Sequence, residues 1–173
     1  MRTVDEALAC AKKIQGWMSD DELRWLYETS QRYETAAHIG VWRGRSIVAA
    51  AAGIRQRIYA IDNWGPAAIE TQLANVDNRA AFLEAMINLW PVIAAGKCVP
   101  LAMESTDASR LVDRVDMVFI DGAHDKASVD RDINAWLPRT NCLLAGHDKH
   151  QVASAICRLN WEAGPGSIWY VHI

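Results

Sequence analysis

From residue 35 onward the chain alternates short apolar runs with glycine- or aspartate-bearing turns and longer amphipathic stretches. The runs Thr35–Ile39, 57–61, Cys98–Ala102, 116–120, 142–145 and 167–173 have the length and residue types of strands. The fourth is apolar without a break after Asp116, which fits a strand covered on both faces, as in a parallel sheet. Between the strands the pattern predicts helices: an alanine-rich one over 46–53, one over 106–112, one over 152–157, and one that carries Val129, Ile133, Trp136 and Leu137 on a single face until Pro138 stops it. Pro66 suits a helix start, and Ile69, Leu73, Val76, Ala80, Leu83, Ile87 and Trp90 follow at spacings of four and three. That stripe reads first as a face packed on the sheet and second as a dimer seam, and Asn75, Asp77 and Asn78 can split the segment into two helices. Ahead of the first strand, 3–15 reads as a helix, and Ser19 with Glu22 forms a capping box that opens another through about residue 30.

This alternation implies an α/β fold: a Rossmann-like, doubly wound, mostly parallel sheet with helices on both faces and an antiparallel last strand. The expected organisation is a single domain over 1–173, with 1–32 an N-terminal helical extension, since 173 residues do not accommodate two ordinary domains and a linker. A hydrophobic share of 51% with 23% charged residues is an ordinary globular balance. A net charge of -3 lacks the basic excess of a nucleic-acid binder, and no run has the length of a membrane span or the apolar core of a signal peptide. The expectation is therefore a cytoplasmic protein acting on a small molecule, without nucleic-acid or membrane partners, and with a homo-oligomer left open. Cys10, Cys98, Cys142 and Cys157 are far apart, which suggests small apolar fillers and no disulfide or thiolate zinc site.

In open α/β sheets the ligand lies beyond the carboxyl ends of the strands, so chemistry is sought just after each one. Those positions hold Gly40 and Gly44, then Asp62, then Glu104 with Ser105, then Asp121, Gly122 and His124, and finally His147 with Asp148. The first turn has G-x-x-x-G spacing and lacks the G-x-G-x-x-G of a dinucleotide fingerprint. Asp62, ending the second strand, stands where a carboxylate can accept the hydroxyls of a ribose, the competing reading being a loop carboxylate or helix cap. His124 is a candidate base or a brace of its turn, Asp125 a cap for the next helix, and His38 a core histidine.

The segments IGVWRGRS, YAIDNW, DMVFIDGAHDKASVDRDINAWLP and LLAGHDKH resemble the class I S-adenosylmethionine-dependent methyltransferases. The resemblance is to the small-molecule O-methyltransferase branch with I-D-G-x-H after strand four and G-H-D or D-D after strand five, which includes sugar methyltransferases. It implies that Gly40 and Gly44, with Ile39 and Ser46, flank the methionine part of S-adenosylmethionine and that Asp62 holds the ribose. Asn63, Trp64, Glu104 and Ser105 would lie near the adenosine. Asp121 would sit beneath the sulfonium or join His147 and Asp148 around a divalent metal such as magnesium, and His124 would serve as general base.

Three positions depart from the branch: His38 replaces an acidic residue, Thr140-Asn141-Cys142 replaces a Gly-Gly turn, and His147 replaces a carboxylate. The implied function is O-methylation of a sugar or secondary metabolite. The alternatives are a cofactor-binding protein without turnover and a nicotinamide-dependent oxidoreductase.

Overall fold

Two capping boxes begin the chain. The Thr3 hydroxyl accepts from the Glu6 N–H while the Glu6 carboxylate accepts from the Thr3 N–H, which starts α1 (Val4–Ala11), and Ser19 and Glu22 do the same for α2 (Asp20–Ser30). This computed structural model describes residues 3–65 and 77–173. The elements that follow are β1 (Thr35–Ile39), α3 (Arg45–Gly53), β2 (Arg57–Asp62), α4 (Asn78–Ala94), β3 (Cys98–Ala102), α5 (Ser105–Leu111) and β4 (Val115–Ile120). Then come α6 (Lys126–Trp136), β5 (Thr140–Gly146), α7 (Ala153–Ile156), β6 (Glu162–Ala163) and β7 (Trp169–His172). Pro138 lies in a single 3₁₀ turn that closes α6, as its lost N–H requires.

The seven strands run in the order β3-β2-β1-β4-β5-β7-β6. The first five in this order pair in parallel, β7 pairs antiparallel to β5, and β6 pairs antiparallel to β7. The expected mostly parallel sheet with an antiparallel last strand is therefore observed, with β6 as an addition too short to leave a periodic trace. Strand order reverses between β1 and β4, which makes their carboxyl ends the natural crevice.

Strand β4 shows how the two cores form. Met117 and Phe119 join the cluster containing Leu23, Leu26, Ile47 and Ile54, whereas Val118 and Ile120 join the one containing Ile133, Trp136, Ile156 and Trp169. Alternate side chains thus enter opposite layers. Truncating Phe119, 1% exposed, to alanine would cost about 3–5 kcal/mol in transfer and cavity terms.

The amphipathic stripe before β3 comes out differently from its first reading. Pro66, Ile69, Leu73 and Val76 lie outside the described residues, and Asp77 caps α4. Within α4, however, Leu83, Ile87 and Trp90 are 52%, 72% and 64% exposed, while Ala81, Ala85 and Leu89 face inward. The smaller alanines permit the closer approach to the core, so the larger stripe is not the face packed on the sheet. The cysteines are all free, but only Cys98 is fully buried, with its thiol pushed up to about 12 by desolvation; Cys157 is exposed.

At the centre of the sheet, His38 is 1% exposed and packs against Phe119 with ring centroids 4.9 Å apart and the rings tilted by 34°. Its Nε2 lies 3.1 Å from Ser46 Oγ, while Nδ1 has no hydrogen-bond partner. Burial, assisted by the charge of His147, pushes its pKa down to about 3 from 6.5. Between those values the unfolded chain binds a proton that the folded chain refuses, so stability falls as pH drops below about 6.5 and this contribution levels off near 3. Urea midpoints measured from pH 7 to pH 4 are expected to fall less steeply for His38→Asn than for the wild type. The difference should approach one proton, or about 1.4 kcal/mol per pH unit, and parallel profiles would refute the assignment.

Candidate active site

Gly40 follows β1 with φ +86°, and its N–H donates to the Ile61 carbonyl at 2.9 Å. A Cβ at this position would lie 2.0 Å from the Asp121 carbonyl oxygen, so the end of β4 demands the glycine. The same contact brings the first turn directly against the residues that follow β4. The Asp121 N–H returns a hydrogen bond to the Ile39 carbonyl at 2.8 Å, which ties the two strand ends together.

Asp62 braces that turn. Its Oδ2 accepts from the Val41 and Trp42 N–H groups, each at 2.8 Å, and its Oδ1 accepts from the Trp64 N–H at 2.8 Å. Both tryptophans have left-handed backbone, φ +47° and +43°, which these bonds help to hold. With Oδ2 receiving two donors, the carboxylate has one open lone pair on Oδ1, fewer than the two-hydroxyl grip expected from its position. Trp64 Nε1 donates to the Trp42 carbonyl at 2.9 Å, and Asn63 Nδ2 to Glu104 Oε1 at 2.7 Å. Beside them a cavity of about 330 Å3 is lined by Asn63, Trp64, Asn78, Arg79, Phe82 and Ala102.

Two of the candidate hydroxyls are engaged within the fold. Ser46 Oγ lies against His38, and Ser105 Oγ accepts from Trp136 Nε1 at 2.8 Å. Arg45 spends its guanidinium on the carbonyls of Ile14, Gly16 and Met18, and Arg43 pairs with Glu84, so neither is a free anion receptor.

The second half of the site follows β4 and β5. Asp121, Gly122, Ala123, His124 and His147 line one recess, together with Trp169. Asp148, held at φ +55°, places its Oδ2 3.1 Å from His124 Nε2 and 3.1 Å from His147 Nδ1. Ligand atoms of Asp121, His124 and Asp148 all lie within 4.8 Å of one another. Asp125 sits just outside and caps α6 by accepting from the Ser128 N–H at 3.0 Å, the role expected of it.

His147, the other expected metal ligand, lies between two carboxylate-bearing sides of the site. Its Nε2 is 2.9 Å from Glu22 Oε1, while its Nδ1 faces Asp148 at 3.1 Å and Asp121 at 3.6 Å. Burial opposes its charge, but the hydrogen bond and charge of Asp148, with the charge of Asp121 and the bond to Glu22, carry its pKa up to about 9. With a carboxylate facing each ring nitrogen, the arrangement favours the doubly donating form of the ring. His124 stands in the group with ligand spacing.

The neighbouring carboxylates respond to this arrangement. Burial pushes Asp121 up to about 7, with Asp148 and Glu22 adding to the rise and His147 opposing it. Asp148 also meets a burial penalty, but the bond and charge of His147 and the charge of His124 bring it below the ordinary carboxylate value. Glu22 was legible only as half of a capping box. Nothing in its local sequence marks a partner 125 residues away. Trp17, stacked on Trp42 at 4.5 Å between centroids, likewise comes to the turn from outside the strand ends.

Residues 37–149 match the family described as Methyltransferase domain. The fold is similar to that of the O-methyltransferase from Bacillus cereus in complex with S-adenosylhomocysteine, at 15% identity and TM-score 0.65, covering 98% of this chain and 89% of that one. It is also similar to precorrin 8w decarboxylase from Methanobacterium thermoautotrophicum, at 13% identity and TM-score 0.63, covering 94% of this chain and 95% of that one. At such identities the structural likeness concerns the fold, whose neighbours carry more than one activity. Among the described residues no helix is long and apolar enough to cross a membrane. The family match spans most of the sheet, and the strand order and crevice agree with it: the chain belongs to the methyltransferase-domain family and is a class I S-adenosylmethionine-dependent methyltransferase.

Proposed function

We propose that this protein methylates a hydroxyl of a small molecule, with a sugar or secondary metabolite as the acceptor class. The observation that carries this reading is the convergence of Asp121, His124 and Asp148 at the strand ends directly beside the Gly40 turn. Such a site can hold both a methyl donor and an acceptor whose proton must leave. The O-methyltransferase name of the Bacillus cereus neighbour supports the same chemistry.

S-adenosylmethionine, when bound, supplies an electrophilic methyl group for in-line displacement, so the protein has to align the acceptor and receive its proton. The Gly40 to Gly44 turn, with Ile39 and Ser46, forms the methionine side, and the open lone pair of Asp62 receives one ribose hydroxyl. Asn63, Trp64 and Glu104 border the adenosine, while Ser105 contributes through its backbone position, its hydroxyl being held by Trp136. His124 is partly exposed to the crevice, and Asp148 holds its Nε2 proton, which leaves Nδ1 as the basic nitrogen.

Asp121, His124 and Asp148 also form a donor set that fits a divalent ion. The two carboxylates suit magnesium or manganese and the imidazole suits zinc or iron better, and such an ion would lower the pKa of a bound hydroxyl. In that case Asp121, His124 and Asp148 would hold the ion, with His147 orienting Asp148 from behind.

Three measurements check these roles. Asp62→Ala leaves three N–H groups of the first turn without their acceptor, so calorimetric affinity for S-adenosylhomocysteine is expected to fall on the order of a hundredfold, about 2.7 kcal/mol. Affinity within twofold of the wild type would remove Asp62 from the cofactor site. His124→Ala is expected to keep that affinity while lowering kcat by on the order of 10²–10⁴; full turnover would leave His124 as a brace. Exhaustive chelation is expected to lower kcat at least about tenfold, with recovery on adding Mg2+, and undiminished activity would exclude the ion.

A further inference from the structure

Glu22 belongs to the N-terminal helical pair, yet its carboxylate ends inside the crevice wall with 6% exposure. Four donors surround it. Oε2 accepts from the Ser19 N–H at 2.7 Å and from Ser19 Oγ at 2.8 Å, and Oε1 accepts from His147 Nε2 at 2.9 Å and from the Ser167 N–H at 2.8 Å. One oxygen therefore completes the capping box, while the other, desolvated, serves a histidine and a loop far along the chain. A carboxylate needed only to cap α2 would leave its second oxygen to water.

The surrounding backbone is fitted to this second role. A Cβ at Gly166, where φ is +54°, would lie 2.3 Å from Glu22 Oε1, so the loop before β7 keeps a glycine where the carboxylate passes. Burial alone would raise the Glu22 pKa, but the bonds from Ser167, Ser19 and His147 outweigh it, and the group stays ionised.

We infer that Glu22 is a positioning residue for the acceptor side of the site. By receiving the Nε2 proton of His147 it fixes the ring so that Nδ1 faces Asp148 and Asp121. Asp148 Oδ2 then receives His147 from one side and His124 from the other. Removing the Glu22 contact leaves Nε2 of a ring that is 10% exposed without its acceptor, and the ring gains a reason to rotate toward water. Asp148 loses one of its three side-chain contacts and keeps those of His124 and Gln151. The effect on turnover rests on the methyl-transfer reading above, whereas the effect on side-chain placement does not.

Glutamine is nearly isosteric with glutamate, but all four neighbours of the carboxylate are donors, so the NH2 group introduced by Glu22→Gln has to face one of them. The test compares Glu22→Gln with Ser19→Ala, which weakens the capping side and leaves the Oε1 contacts intact. Both variants are expected to lose thermal stability. In Glu22→Gln alone, crystals grown with S-adenosylhomocysteine should show His147 turned out of its bond to Asp148. With a hexose or a catechol as the acceptor probe, its kcat should fall by roughly ten- to a hundredfold, while KM for S-adenosylmethionine stays within about twofold. The inference is overturned if His147 and Asp148 keep their wild-type positions, or if kcat falls no further than in Ser19→Ala. Should Glu22→Gln fail to fold, Glu22→Ala decides the same question: it removes the acceptor of His147 Nε2 outright, and an unmoved His147 overturns the inference. A wild-type protein that transfers no methyl group counts against the methyl-transfer reading alone, since the crystallographic comparison decides the positioning by itself.

Discussion

The contact on which the site depends is the one between the Gly40 backbone and the carbonyl of Asp121, where no side chain could fit. It sets how near the end of β1 comes to the end of β4, at the place where the strand order reverses. Everything assigned to the methyl donor hangs from one side of that junction, and everything assigned to the acceptor from the other. Asp62 then stiffens the first turn with three accepted N–H bonds, so the donor side is shaped by backbone and is largely formed in advance.

The acceptor side is built on another principle. Glu22, Asp121 and Asp148 surround a single imidazolium, and none of the three carboxylates has the same balance of burial and partners. An isolated carboxylate in such a place would be expensive to ionise, and the His147 ring offsets that cost for its neighbours. The carboxyl groups around this one ring thus have pKa values pushed in opposite directions, Asp121 upward and Glu22 and Asp148 downward.

What could be read from the chain was whatever rests on local pattern. The unbroken apolar run of β4, the cap at Asp125 and the Ser19–Glu22 box are each decided within a few residues, and the structure repeats them. The reading of the α4 stripe as the sheet-packed face fails at Leu83, Ile87 and Trp90, because periodicity shows that a helix has two faces without showing which one meets the core, and here Ala81, Ala85 and Leu89 do. His147 reads as a metal candidate because it follows strand five beside Asp148, where the resemblance places a carboxylate. The partner of its Nε2, Glu22, is distant along the chain and already has a sufficient local explanation in the capping box. Ser46 and Ser105 fall at the expected strand ends, but position alone could not show that their hydroxyls point to His38 and Trp136.

The cradle of Glu22 also bears on the order in which the molecule can assemble. Its donors come from residues 19, 147 and 167, so a nascent chain that has already produced all five parallel strands still lacks one wall of this pocket. Until the loop before β7 emerges, the carboxylate of α2 remains hydrated and the helical pair has less reason to dock. Loop closure over so long a separation is slow relative to local helix formation. The sheet can therefore take shape first, with the competent crevice arriving as a late event of folding, when two distant parts of the chain meet over a single side chain.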